Sequence, residues 1–127
     1  MSKADEKKWR AAFRKAVLER DGFKCKVCGE AGTNETLDPH HITDRNELAN
    51  GGYVPENGIT LCKKEGGCHM RAEEALKACE EAKHYGQDPD AMHEEGLGCR
   101  YDPCALYALI GSTYEKAVEA AKRLSND

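Results

Sequence analysis

Large side chains are scarce in this chain: Phe, Trp and Tyr together make 6% of its 127 residues, with one Trp and two Phe among them. A thick aromatic core is therefore ruled out. Long apolar runs are missing as well. None approaches the roughly 18 residues that cross a bilayer, which excludes a membrane-spanning protein. Residues Met1 to Lys8 are polar and charged, with no apolar signal-peptide core behind them, so the expected location is the cytoplasm. There is no internal repeat and no low-complexity tract. A strong basic excess is absent too. The net charge is −4, which by itself argues mildly against a nucleic-acid partner.

What is present is the composition of one ordinary domain, 39% apolar and 33% charged. The charge is uneven. Residues 1–28 carry nine Lys or Arg against four Asp or Glu, 29–85 carry six against eleven, and 86–127 carry four against eight. The positive end can still meet a phosphate backbone while the rest repels it. Residues 4–20 read as a helix, because Trp9, Phe13 and Val17 share one face at i, i+4, i+8. Lys7, Lys8, Arg10, Arg14 and Lys15 lie mostly off that stripe, and Asp21-Gly22 ends it. Two short strands follow, Leu37 to Thr43 and Ile59 to Leu61. A second helix is expected from about His69 to His84, and a last one over 104–124 despite the cost of Gly111 within it.

Seven cysteines in so small a chain need a reason. In a reducing compartment they point to metal ligands or plain thiols rather than a disulfide framework. Cys25-x2-Cys28 is half of a tetrahedral site, since two thiolates so spaced face one ion across a turn. Cys62 and Cys68 are the best second half, although Lys64-Glu65-Gly66 resemble an insertion in the usual spacing. Four thiolates make a closed, structural zinc site. Buried free thiols are the alternative. Cys79 reads as a helix-core thiol. Cys99-x4-Cys104 is open between a disulfide, half of a second metal site with His93, and neither.

The cysteine groups bracket a second constellation. His40-His41-Ile42 closes the first strand, and Asn57 follows His41 by sixteen residues. His69 directly follows Cys68, and Glu73 lies one helical turn further on the same face. An adjacent histidine pair, an asparagine and a His-x3-Glu pair on one metal-binding scaffold are hard to ascribe to chance.

These pieces resemble the HNH endonucleases. Cys-Lys-Val-Cys (25–28), Asp-Pro-His-His-Ile (38–42), Asn-Gly-Ile-Thr-Leu-Cys (57–62) and Cys-His-Met-Arg-Ala-Glu (68–73) carry the likeness over about residues 23–75. Asn-Gly-Gly-Tyr-Val-Pro-Glu (50–56) is similar to small stand-alone phage-borne members. The resemblance implies a small, mostly helical α+β fold. Its ββα-metal core, stapled by a four-cysteine zinc site, would span 23–84. A basic helix would precede it at 1–22 and a helical extension would follow at 85–127, all in one compact domain.

It further implies that His40 and His69 are ligands of a catalytic divalent ion and that Glu73 stands where relatives have a third ligand. His41 matches the general base, and Asn57 the residue that braces the loop and orients that base. Asp38 is less favoured as a ligand, because of Pro39 and the strand alternation. The implied reaction is hydrolysis of DNA phosphodiester bonds with Mg²⁺ or Mn²⁺, in which a neutral imidazole takes the proton of the attacking water. Lys7, Lys8, Arg10, Arg14, Arg45 and Arg71 become phosphate contacts without sequence choice. By analogy alone, a phage packaging protein such as a terminase would be a partner. A zinc-stabilised nucleic-acid-binding module without catalysis is the alternative. A protein-interaction domain docking through its acidic C-terminal third is a more distant one.

Overall fold

In a computed structural model, residues 3–64, 67–84 and 103–124 are described. The first element, α1 (Lys3–Arg20), carries Asp5 and Glu6 in its first turn and Arg20 in its last, charges that complement the helix dipole. Its inward face is the one expected: Phe13 and Val17 are buried, and Trp9 packs on their cluster with Tyr53. Gly22 ends the helix at φ +68°, where a left-handed residue lets the Gly22 N–H reach the Glu19 carbonyl and the Phe23 N–H that of Leu18.

Two strands form an antiparallel hairpin, β1 (Leu37–His41) and β2 (Gly58–Cys62), in the register Leu37↔Cys62 through His41↔Gly58. Pro39 is tolerated because a two-stranded sheet leaves each strand an edge. All five positions of β2 are buried, between α1 and α2 (Cys68–His84). The first strand stops two residues short of the expected Thr43. Beyond His41 the pairing passes to Asn57, whose backbone carbonyl takes the Ile42 N–H and whose side-chain Oδ1 takes that of Thr43.

Arg20 and Asp21 fasten the end of α1 to the second strand. The Arg20 guanidinium holds Asp21 and the carbonyls of Pro55 and Gly58, both at 2.7 Å, while the Asp21 carboxylate accepts the Thr60 N–H at 2.9 Å. The long hairpin connection carries a left-handed turn over Ala49–Gly52, where Asn50, Gly51 and Gly52 all take positive φ, and a 3-10 turn at Pro55–Asn57.

The single C-terminal helix expected over 104–124 is instead two, α3 (Pro103–Leu109) and α4 (Tyr114–Arg123). Gly111 at φ +68° supports a closing turn in which Gly111 N–H meets the Ala108 carbonyl and Ser112 N–H that of Tyr107. Thr113 then caps α4 by accepting the Lys116 N–H. The apolar spacing continued across this break, so periodicity alone did not reveal it.

Both helices close over the same core. Ala117, Ala120 and Ala121 are buried on α4, and Leu106 and Tyr107 on α3. Asn50 donates to the Ala121 carbonyl and Ser112 to that of Glu56, which ties the C-terminal segment to the hairpin connection. The molecule is thus a small, mostly helical α+β protein, with four α-helices among the described residues. No helix of the described residues is long and apolar enough to cross a membrane.

The approach of α1 to the hairpin depends on Gly58. A Cβ there would stand 2.5 Å from Val17 Cγ2 and 2.6 Å from the Phe13 ring. Gly58→Ala is expected to destabilise the protein by about 1–3 kcal/mol through overpacking. Urea unfolding measures this, and an unchanged midpoint would contradict the contact.

Candidate functional site

The four cysteines singled out by spacing come together. Their sulfurs all lie within 4.8 Å of one another, despite the longer gap between Cys62 and Cys68. Three local features place them. The Cys25–Cys28 knuckle closes through Gly29 at φ +80°, whose N–H donates to the Cys25 carbonyl at 2.8 Å, and Lys26 N–H pins the knuckle to Thr60 of β2. Cys62 ends β2 and Cys68 opens α2, where its N–H points at the Cys62 sulfur from 3.4 Å.

The Cys28 and Cys62 sulfurs are 3.8 Å apart, which is about the edge of a tetrahedron with metal–sulfur arms of about 2.3 Å. The group can therefore hold a structural metal ion such as zinc. Burial opposes ionisation of Cys25, but the backbone amides of Cys28, Cys62 and Val27 outweigh it and bring the thiol down to about 7. At Cys28 the Glu30 amide favours the thiolate, yet burial and the neighbouring sulfurs of Cys25 and Cys62 prevail and raise the thiol. The side chains of Cys79 and Cys104, and residues 85–102 with His93 and Cys99, lie outside the described residues.

At the far end of β1 the histidines line a cleft of about 520 Å³. Adjacent strand residues face opposite sides, so the pair divides. His40 turns toward α2, its ring 5.5 Å from that of His69. His41 turns toward α1, stacked on Phe13 at 4.6 Å with the Tyr53 ring edge-on at 5.0 Å. Glu73 reaches His69 Nε2 at 3.2 Å, as the one-turn spacing required.

Asp38 lies in the same group. Strand residues two apart share a face, so Asp38 stands beside His40, and its carboxylate is 3.5 Å from His69 Nδ1. The sequence argument from alternation had the parity reversed. Arg14 holds the other Asp38 oxygen at 3.0 Å and also donates to the carbonyls of Asn34 and Leu37.

Asn57 does not line the cleft. It is fully buried, and all four capacities of its amide are used. Oδ1 accepts from Thr43 N–H and Tyr107 O–H, both at 2.8 Å, and Nδ2 donates to the carbonyls of Thr43 and Gly52. Asn57 thus braces the chain just after His41 without touching the cleft. Of the six basic residues expected at phosphates, Arg10, Arg14 and Arg45 line the cleft. Arg10 is shared with Glu6 and the Tyr53 hydroxyl. Lys7 and Lys8 are exposed on α1, and Arg71 on α2, outside the lining.

The residues that sequence reasoning missed are Thr43, Tyr53 and Tyr107. Tyr53 sat within a quoted motif without a role. Tyr107 carries no spacing signal toward a partner fifty positions away.

Burial dominates the electrostatics of the histidine pair. It pushes His40 down to about 3, helped by His69 and His41, and His41 down to about 4, helped by Arg45. Nε2 of each ring is enclosed and has no hydrogen-bond partner. Comparison with protein-family models, with curated proteins and with solved structures finds no match to the chain.

Two expectations follow from this geometry. Purified protein should carry about one tightly held zinc per chain, lost with a fall in melting temperature in Cys62→Ser and retained in Cys79→Ser. Elemental analysis decides, and a metal-free preparation that melts like the native protein would contradict the site. The second concerns pH. Both rings are neutral in the folded chain, whereas an unfolded imidazole takes its proton near about 6.5. The stability they contribute is therefore complete above about pH 6.5, and it drains away as the pH falls toward about 4 and then about 3. In NMR titrations the His40 and His41 ring signals should stay flat from pH 8 to 5. A midpoint near 6.5 for either would refute their burial.

Proposed function

We propose that this chain is an HNH-type endonuclease, a divalent-metal-dependent enzyme that hydrolyses phosphodiester bonds of DNA. The observation that carries the reading is the convergence of His40, His41, His69 and Glu73 on one arginine-lined cleft. Two of the sequence motifs, 38–42 and 68–73, are brought together there from stretches nearly thirty residues apart.

The donor set suits a divalent ion. His40 offers an enclosed, unpartnered imidazole nitrogen, a state that costs about 1–3 kcal/mol when left unrelieved. His69 adds a second imidazole and Glu73 a carboxylate. His40, His69 and Glu73 would hold Mg²⁺ or Mn²⁺, which when bound supplies charge neutralisation at the scissile phosphate and the departing 3′ oxygen. Asp38, clamped by Arg14, fixes the ring of His69 through Nδ1, in the manner of a carboxylate behind a ligating histidine.

His41 is the proton acceptor. Its Nε2 is enclosed, so we assign the proton from the attacking water to Nδ1. Burial keeps the ring neutral at working pH, so its lone pair is free to take a proton, although at about 4 it is a weaker base than an ordinary imidazole. Phe13 and Tyr53 hold its plane from two sides. Arg10 and Arg45 supply positive charge at the mouth of the cleft, where a DNA phosphate would lie. None of these contacts selects a base, so cleavage is expected to be largely independent of sequence.

The test is plasmid nicking or cleavage with Mg²⁺ or Mn²⁺, abolished by EDTA. His41→Ala should lose about 10²–10⁴-fold in rate while keeping its fold, zinc and DNA binding. His40→Ala and His69→Ala should be partly restored by added Mn²⁺. Full activity in His41→Ala would refute the assigned base. A folded, zinc-loaded wild type that binds DNA but never cuts it would favour a zinc-stabilised binding module.

A further inference from the structure

The C-terminal segment reaches the histidine strand at one polar point. Tyr107 of α3 is 4% exposed, Thr43 7%, and Asn57 is fully enclosed. Three polar side chains from three distant stretches therefore meet out of contact with water. The Tyr107 hydroxyl lies 2.8 Å from Asn57 Oδ1, to which it donates, and 2.6 Å from Thr43 Oγ1. A phenol has one proton. Donation to Asn57 therefore makes the Thr43 hydroxyl the donor to Tyr107, and the three groups form one directional chain from Thr43 through Tyr107 to Asn57. Such chains polarise along their length and hold a single geometry.

Satisfying Asn57 does not require this chain, since its Oδ1 already accepts the Thr43 N–H at 2.8 Å. The chain instead adds a third hold on Thr43. Both backbone groups of that residue go to the Asn57 amide, and its side chain goes to Tyr107. The neighbouring Ile42 N–H is held by the Asn57 backbone carbonyl. Every residue between His41 and the open loop is thereby tied, and the outermost tie comes from the C-terminal segment. A phenylalanine would fill the same apolar pocket without bringing in a hydroxyl that needs partners.

We infer that Tyr107 is a positioning residue for His41, acting through Thr43 and Asn57, so that the C-terminal segment completes the reacting site rather than merely covering the core. This rests on the nuclease reading for its effect on rate, but not for its effect on geometry.

The test compares Tyr107→Phe with the zinc-loaded wild type. The substitution keeps the ring and removes the chain's central hydroxyl. Cleavage should slow about tenfold in kcat, the worth of roughly one hydrogen bond. KM for DNA and zinc content should be unchanged. The His41 ring signals in NMR should shift, and the Thr43 amide should exchange faster with solvent. Thr43→Val removes the first hydroxyl of the chain and serves if Tyr107→Phe does not fold. Where both fold, the double variant should be no slower than either single one, because they interrupt the same chain.

Unchanged kcat and unchanged His41 signals would overturn the inference. A loss of kcat with the His41 signals in place would also overturn it, since the effect would then be one of general stability. A wild type that cuts no DNA refutes the nuclease reading alone. The His41 and Thr43 signals still decide the inference in that case.

Discussion

The amide of Asn57 is the constraint on which the arrangement depends. It sits with no exposure between the end of the hairpin connection and the start of β2, and it spends both lone pairs and both protons on other segments. An aspartate could not donate to the Thr43 and Gly52 carbonyls, and an aliphatic residue would take from the buried Thr43 N–H and carbonyl the partners that Asn57 gives them. Each such orphan costs about 1–3 kcal/mol. Through these bonds one side chain ends β1 at His41, closes the connection at Gly52 and receives the C-terminal segment at Tyr107. Gly52 permits this closeness, since a Cβ there would stand 2.9 Å from the Asn57 amide nitrogen.

The hairpin separates two chemistries along its length. The four cysteine sulfurs gather where β2 ends at Cys62, and the imidazoles where β1 ends at His41. Four residue steps at about 3.3 Å each set the two ends about 13 Å apart. Soft thiolates suit a closed zinc site, whereas imidazole and carboxylate suit an ion that keeps positions open to substrate. On the proposed reading one ion holds the scaffold and another takes part in the reaction, and the strands keep the two donor sets from competing. The same helix begins at Cys68 and presents His69 one residue later, so a shift of the sulfur site would move the cleft directly.

Much of this was legible in the sequence because it is local. The apolar face of α1, the knuckle around Gly29 and the one-turn step from His69 to Glu73 follow from spacing alone. The gathering of Cys62 with Cys68 was legible from residue type in spite of its long gap. What escaped depends on contacts made far along the chain. Tyr107 meets Asn57 across fifty positions, and Arg14 meets Asp38 across twenty-four. The break at Gly111 escaped for another reason. Its apolar neighbours keep helical spacing on both sides, and only the positive φ of that glycine shows that the chain turns. Asp38 was misjudged by strand parity, a matter of one residue's offset in counting faces.

The central claim is that the cleft directs water onto a DNA phosphate and releases the 3′ oxygen. Cleavage of a defined duplex in water enriched in ¹⁸O, followed by mass analysis of the fragment ends, tests it most directly. The account predicts one ¹⁸O on each new 5′-phosphate and an unlabelled 3′-hydroxyl. Fragments ending in 3′-phosphate, new ends without the label, or a duplex that stays intact with Mg²⁺ and Mn²⁺ would contradict it.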